Sequence, residues 1–354
     1  MKIAFAIHTP GQVHLWHYPI IMLKEKGHDI MVLTRKEESI IELLNAYNIP
    51  FNTYGKVGRT RTSKIMGLPG HSVKSFNIIS RFKPNIIVGT GIIEAYSAFI
   101  LRKPSIIFED TEGTPFLERI QWETLTNVII TPDCLVKDFG AKQVRFSGYK
   151  ELAYLHPQWF IPDPTIYDEL KIKKDEKYVI LRFNPFDAVH DVGRYGFRVE
   201  DQLRLVKELD HYAHVFISPE APLPKELEKN RLLIPYHRIH QALYYADMFV
   251  SDTGTMVTEA AILGTPAIQC YSDAGRCGNL AELEHKYGMV YTFKEPDLAI
   301  AQAISLVKQT NLKEQWNKKR QILLRDKIDV TKFLVDFIEN YPTSFPNYKQ
   351  KSNY

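Results

Sequence analysis

The segment Ser251-Asp252-Thr253-Gly254-Thr255-Met256, with Glu259 three residues further on, gathers groups that together could bind a phosphorylated ligand. It follows a short apolar run and opens a helical pattern. Ser251, Asp252, Thr253 and Thr255 are residue types that cap helix starts. Gly254 allows backbone to approach a ligand closely. Amide groups at such a start, at the positive end of the helix dipole, suit a diphosphate. Glu259, about one turn in, is placed to accept two hydrogen bonds from a diol such as that of ribose.

Other groups gather at three places. Thr9-Pro10-Gly11-Gln12-Val13-His14 follows the first apolar run and lacks the second and third glycines of a dinucleotide fingerprint, which disfavours a nicotinamide or flavin. Gly11 and His14 are its site candidates, with His8 and His17 as competing histidines. Glu109-Asp110-Thr111-Glu112 ends another apolar run in three carboxylates, and crowding there favours a raised pKa and a general base. Glu118 follows shortly after. Arg182 closes a later run, and Asp187, His190 and Asp191 form an acid–base loop beyond it. No third and fourth ligand stands at workable spacing around this histidine, so neither a metal nor a cofactor is expected.

Parallel strands with helices between them would bring these residues to one edge. Continuous short apolar runs at 2–8, 29–34, 51–54, 85–89, 105–108, 127–131 and 143–147 alternate with helical patterns at 14–26, 37–47, 71–82 and 92–102. The second half repeats this with strands at 177–183, 214–218, 231–234, 248–251 and 267–270. Its helices fall at 200–209, 239–245, 255–263, 279–286 and 296–308. Unbroken apolar strands imply sheets covered on both faces. The expected architecture is α/β, with two Rossmann-like doubly wound domains facing across a cleft, at 1–160 and 161–328. The proline- and aromatic-rich stretch 154–164 reads as their connection. A final helix near 330–339, within a 329–354 segment, is expected to return to the first domain.

The chain has 354 residues, enough for two such cores, and its 45% hydrophobic content is that of a globular protein. No apolar stretch reaches the ~20 residues that span a bilayer. The N-terminus shows no export signal, and three cysteines without metal spacing read as reduced thiols, so a cytoplasmic location is expected. Charge is uneven: Lys56, Arg59, Arg61, Lys64, Lys74, Arg81 and Lys83 stand with no acid between Glu42 and Glu94. This stretch contributes seven positive charges to a net charge of +4, leaving the remainder at −3. Such asymmetry suits an anionic partner, and a peripheral contact of 56–83 with the inner face of a membrane is one expectation. No recognition module for nucleic acid accompanies it.

The 251–259 segment resembles the donor-binding region of GT-B glycosyltransferases and of the related non-hydrolysing UDP-N-acetylglucosamine 2-epimerases. The resemblance implies a GT-B-like fold, with Ser251, Thr253, Gly254, Thr255 and Met256 near phosphate, Glu259 on ribose, and Asp252, Gly11 and Arg182 among the donor-binding residues. It also implies catalytic roles for Glu109, Asp110, His14 and Glu118. Two epimerase motifs are absent: Val88-Gly89-Thr90-Gly91 stands for His-Gly-Asp, and Leu181-Arg182-Phe183-Asn184 begins where His-Arg-Arg-Glu-Asn is expected. Together with Tyr154-Leu155-His156-Pro157 and the 187–193 loop, these features resemble an uncharacterised prokaryotic family of predicted GT-B-type proteins over nearly the whole chain. The implied activity is metal-independent glycosyl transfer from a nucleotide sugar, expected to be a UDP-sugar, to a glycan or lipid-linked acceptor in cell-surface polysaccharide biosynthesis. A 2-epimerase-like isomerase and a non-catalytic sugar-nucleotide-binding protein are the alternatives.

Overall fold

A computed structural model describes residues 1–55, 61–114, 116–184, 195–275 and 277–351, without the side chains of 61–70, 117, 118 and 351. Asp187, His190, Asp191, Lys56 and Arg59 lie outside the described residues. The chain divides into two compact units, residues 1–154 with 328–354, and residues 155–327.

The first unit is a seven-stranded parallel sheet of β1 (Lys2–Ile7), β2 (Asp29–Thr34), β3 (Asn52–Thr53), β4 (Ile86–Gly89), β5 (Ser105–Phe108), β6 (Val128–Pro132) and β7 (Gln143–Phe146). Its spatial order is β3-β2-β1-β4-β5-β6-β7, so the direction of winding reverses between β1 and β4. Every residue of β4 and β5 is buried, as expected of strands with helices on both faces. The helices are α1 (Pro10–Glu25), α2 (Glu38–Ala46), α3 (Arg61–Phe82), α4 (Ile92–Leu101), α5 (Phe116–Glu123) and the single turn α6 (Leu152–Leu155).

The second unit is a five-stranded parallel sheet of β8 (Tyr178–Arg182), β9 (His214–Ile217), β10 (Met248–Ser251), β11 (Ala267–Cys270) and β12 (Val290–Phe293). Its order is β12-β11-β10-β8-β9, which reverses between β8 and β10. Around it run α7 (Ile166–Leu170), α8 (Val199–Leu209), α9 (Ile239–Tyr245), α10 (Thr255–Leu263), α11 (Gly278–His285), α12 (Pro296–Val307) and α13 (Leu312–Asp326). The chain then re-enters the first unit with α14 (Val330–Glu339) and α15 (Ser344–Lys351). Asp329 caps α14 by accepting from the Lys332 amide. Phe333 stacks 5.2 Å from Phe146 of β7, and the Glu339 carboxylate lies 2.7 Å from Lys26 Nζ, just past α1.

Some elements differ from the sequence reading. Helix α1 begins at Pro10 instead of 14, because Thr9 accepts from the Gln12 amide and proline suits the first helical position. Gly11 and His14 are therefore helical residues, not loop residues. The stretch read as a strand at 231–234 forms a single bridge, Ile217 to Arg231, before Pro235 ends the extended run. Helix α3 starts ten residues earlier than read and continues through Gly67, Pro69 and Gly70. Strand β12 and helices α5, α6, α7 and α15 are additions. Among the described residues no helix is long and apolar enough to cross a membrane.

Candidate functional site

In doubly wound sheets ligands bind beyond the carboxyl ends of the strands where the order reverses. In the second unit that point lies between β8 and β10, and Arg182 and Ser251 are register partners at their carboxyl ends. The turn after β10 is held from within. Ser251 is fully buried, and its Oγ accepts from the Thr253 amide at 3.0 Å and lies 3.0 Å from Thr253 Oγ1. Asp252 turns away from the helix, and its Oδ1 accepts from the Asn184 amide at 2.7 Å. A Cβ on Gly196 would lie 2.4 Å from Asp252 Cβ, so only a glycine lets the chain pass over this residue. Burial pushes the Asp252 carboxyl up to about 7, against the lowering effect of its backbone donors.

The Ser251, Thr253 and Asp252 side chains make these contacts and not a cap on α10. Gly254 occupies the N-cap position and, among the described residues, no side chain bonds to the helix start, contrary to the capping expected of Ser251, Asp252, Thr253 and Thr255. Gly254 has φ −84°, which any residue adopts, and an added Cβ would meet nothing nearer than 3.7 Å. The fold itself thus does not require glycine at this position. At its far end α10 closes on Gly264 (φ +81°), where a side chain would press on Arg320, whose Nε donates to Ile262 O at 2.8 Å.

Glu259 is buried in α10, with Oε1 3.1 Å from His240 Nε2 of α9. Arg182 is half-buried, donating from Nε to Glu220 at 2.8 Å and from Nη1 to Ser218 Oγ at 2.9 Å. Met256 and Thr255 occupy the first turn of α10, Met256 buried and Thr255 exposed.

In the first unit, Glu109 follows β5 and is buried, accepting from the Thr111 amide at 2.7 Å and from Thr114 Oγ1 at 3.3 Å. Burial, and then the neighbouring Asp110 charge, push its carboxyl up to about 7. Asp110 itself is ion-paired to Lys150 Nζ at 2.6 Å. Glu118 lies on α5, and its side chain is outside the described residues. His14 is buried, 2.9 Å from Tyr47 Oη and packed against Tyr154. His17 stacks on Tyr47 at 3.9 Å, and burial holds it down at about 4. Gly11, in the first turn of α1, has open space beside it.

His8 was read only as a competing histidine, and its pairing with Glu94 escaped the sequence reading. At the reversal between β1 and β4, His8 Nε2 stands 3.0 Å from Glu94 Oε1, and His8 Nδ1 stands 3.2 Å from Tyr54 Oη. Glu94 also accepts from the Thr90 amide, and Gln12 links the His8 amide to Thr90 Oγ1. The available signals were an acid inside the apolar 86–101 run and a glycine, Gly89, ending its strand.

The family model described as Protein of unknown function (DUF354) matches residues 1–342. The chain belongs to the DUF354 family. It is also 24% identical over 270 residues to the uncharacterised protein MJ0665 of Methanocaldococcus jannaschii, covering 73% of this chain and 78% of that one. Among solved structures, this DUF354 chain is similar to MnaA of S. aureus in complex with UDP, with TM-score 0.72 and 14% identity over 97% of both chains. It is similar to UDP-GlcNAc 2-epimerase of Neisseria meningitidis bound to UDP-GlcNAc, with TM-score 0.66 and 16% identity over 96% and 99%. It is similar to MurG of Acinetobacter baumannii, with TM-score 0.59 and 16% identity over 96% and 99%. The fold is therefore the GT-B-like one shared by glycosyltransferases and these epimerases.

Proposed function

We propose that the chain is a glycosyltransferase that takes its sugar from a nucleotide-sugar donor, a UDP-sugar, and builds a cell-surface glycan. The observation that carries this reading is the start of α10, which no side chain caps among the described residues, beside Arg182 where the second sheet reverses. Backbone amides and the positive end of a buried helix suit a diphosphate without a metal. The same groups would stabilise the charge that develops on the leaving nucleotide. Glu259 is the proposed ribose partner, exchanging or sharing its contact with His240. Glu109 is the proposed base for an acceptor hydroxyl, since a carboxyl titrating near neutrality can take a proton there. The similarity of the solved UDP-bound structures supports the choice of nucleotide. Lys74, Arg81 and Lys83 are exposed, and a membrane contact of 56–83 that would bring a lipid-linked acceptor remains part of the proposal.

A thermal-shift panel of UDP, GDP, ADP, CMP and their sugar conjugates tests the reading. UDP and UDP-sugars should stabilise the chain, and Glu259→Ala should remove that response. Equal stabilisation of wild type and variant would displace the ribose assignment, and no response to any nucleotide would end the proposal.

The likeness to 2-epimerases favours a second reading, isomerisation of the same donor. Proton NMR of UDP-GlcNAc incubated with the chain in D2O separates the two. Exchange of the sugar C2 proton would support isomerisation. Release of UDP without exchange would support transfer.

A further inference from the structure

The first sheet has its own reversal, between β1 and β4, and the His8–Glu94 group sits at the carboxyl ends of those two strands. We propose that this crevice binds a polyhydroxylated ligand, a sugar ring, with the Glu94 carboxylate and the His8 imidazole as its hydroxyl partners. Only the naming of that ligand as the glycosyl acceptor rests on the transferase reading above.

Glu94 is wholly buried, and its Oε1 is occupied by the Thr90 amide and His8. Its Oε2 has no hydrogen-bond partner among the described residues. Buried carboxylate oxygens seldom stay unpartnered, and a site that awaits a ligand is one recognised reason. The sequence also reserves space for this acid. A Cβ on Gly89 would lie 2.0 Å from Glu94 Oε1, so the last residue of β4 must lack a side chain for the carboxylate to sit there. Oε2 lies toward Gly91, where an added Cβ would be 4.0 Å away. Thr90, Gly91 and Ile92 are partly exposed, so this turn is what stands between the carboxylate and solvent.

The donor set selects the ligand class. A carboxylate at the floor repels phosphate and accepts hydroxyl or amide protons. His8 can donate or accept at either nitrogen according to its tautomer. Burial pushes Tyr54 up to about 12, so its hydroxyl stays a neutral partner of His8 Nδ1. The Gln12 and Thr90 side chains, bonded to each other at 2.6 Å, add exchangeable amide and hydroxyl contacts. His14 and His17 are packed against Tyr47 on α1 and are not hydrogen-bonded to this group in any contact described.

The test is a titration of the full chain, 15N-labelled at histidine, with N-acetylglucosamine and with methyl α-glucoside, following the His8 ring nitrogens by NMR. Comparison with His8→Gln assigns the signals. A saturable shift of His8 is expected, with affinity weakened about tenfold or more in Glu94→Gln, the effect of losing a charged hydrogen-bond acceptor. Should Glu94→Gln fail to fold, Thr90→Val, which removes one hydroxyl contact, is expected to weaken the same titration. No shift of His8 by either sugar up to roughly 100 mM, beyond the weakest binding of interest, would overturn the proposal. UDP stabilisation without a His8 response would overturn this site and leave the donor reading standing. A His8 response without UDP stabilisation would support this site and count against the donor reading.

Discussion

At the scale of single residues, the acid–base assignment in the first unit turns on how each carboxyl is surrounded. Asp110 has a lysine 2.6 Å away and is engaged in that ion pair. Glu109 is buried, and its two local donors do not offset the loss of water, so it titrates at about 7. A carboxyl raised in this way favours folding in its protonated form. That contribution is complete below the ordinary carboxyl range and is lost as pH rises through 7. As a base the sign is opposite, since only the ionised form acts. Turnover should therefore fall about tenfold for each pH unit below 7 in the wild-type chain. Glu109→Gln should lose that limb along with ~10²–10⁴-fold of the rate, the usual worth of a general base, while UDP binding is unchanged. A variant with wild-type rate and profile would assign the base elsewhere. The sequence marked Glu109 and Asp110 equally, because the lysine that separates them, Lys150, is forty residues away along the chain.

At the scale of elements, the β10–α10 unit was legible because its signals are local: a four-residue apolar strand, a polar turn, a helix and Gly264 at its stop. What the sequence did not show is where the polar side chains point. Ser251 and Thr253 bond to each other, and Asp252 reaches Asn184 beyond β8, a partner 68 residues away. Ser251, Asp252 and Thr253, which looked like caps, bond within the turn and to Asn184 instead, and among the described residues the helix start has no side-chain cap. Glu94 was hidden for the related reason that an apolar run conceals one acid whose partner His8 comes from the end of another strand, 86 residues away. The turn allows a separation of fold from binding. Gly254→Ala adds a methyl at an ordinary φ with no contact under 3.7 Å, so the melting temperature should move by no more than about 2 °C. UDP affinity should nevertheless fall about tenfold or more, because the methyl stands where a phosphate would approach the backbone. Isothermal titration checks this, and undiminished affinity would place the phosphate away from Gly254.

At the scale of the whole molecule, strand-and-helix alternation made the two doubly wound sheets legible, since buried parallel strands are continuous apolar runs in the sequence. Strand β12 escaped because Tyr291, Thr292 and Phe293 are only half-buried at the edge of the sheet and lack that signature. The return of the chain to the first unit has energetic content. Phe337 of α14 is completely buried within a unit built mainly from residues 1–154. Phe337→Ala should cost ~3–5 kcal/mol, the range for truncating a core phenylalanine. In a unit of this size that is a fall of about 10 °C in melting temperature. Because the proposed nucleotide site is built from residues 182–259 of the other unit, calorimetry should show one transition lowered, and the transition that UDP stabilises should keep its response. If the UDP-dependent transition fell by the same amount, the two units would unfold as one, and α14 would support the nucleotide site as well as its own sheet.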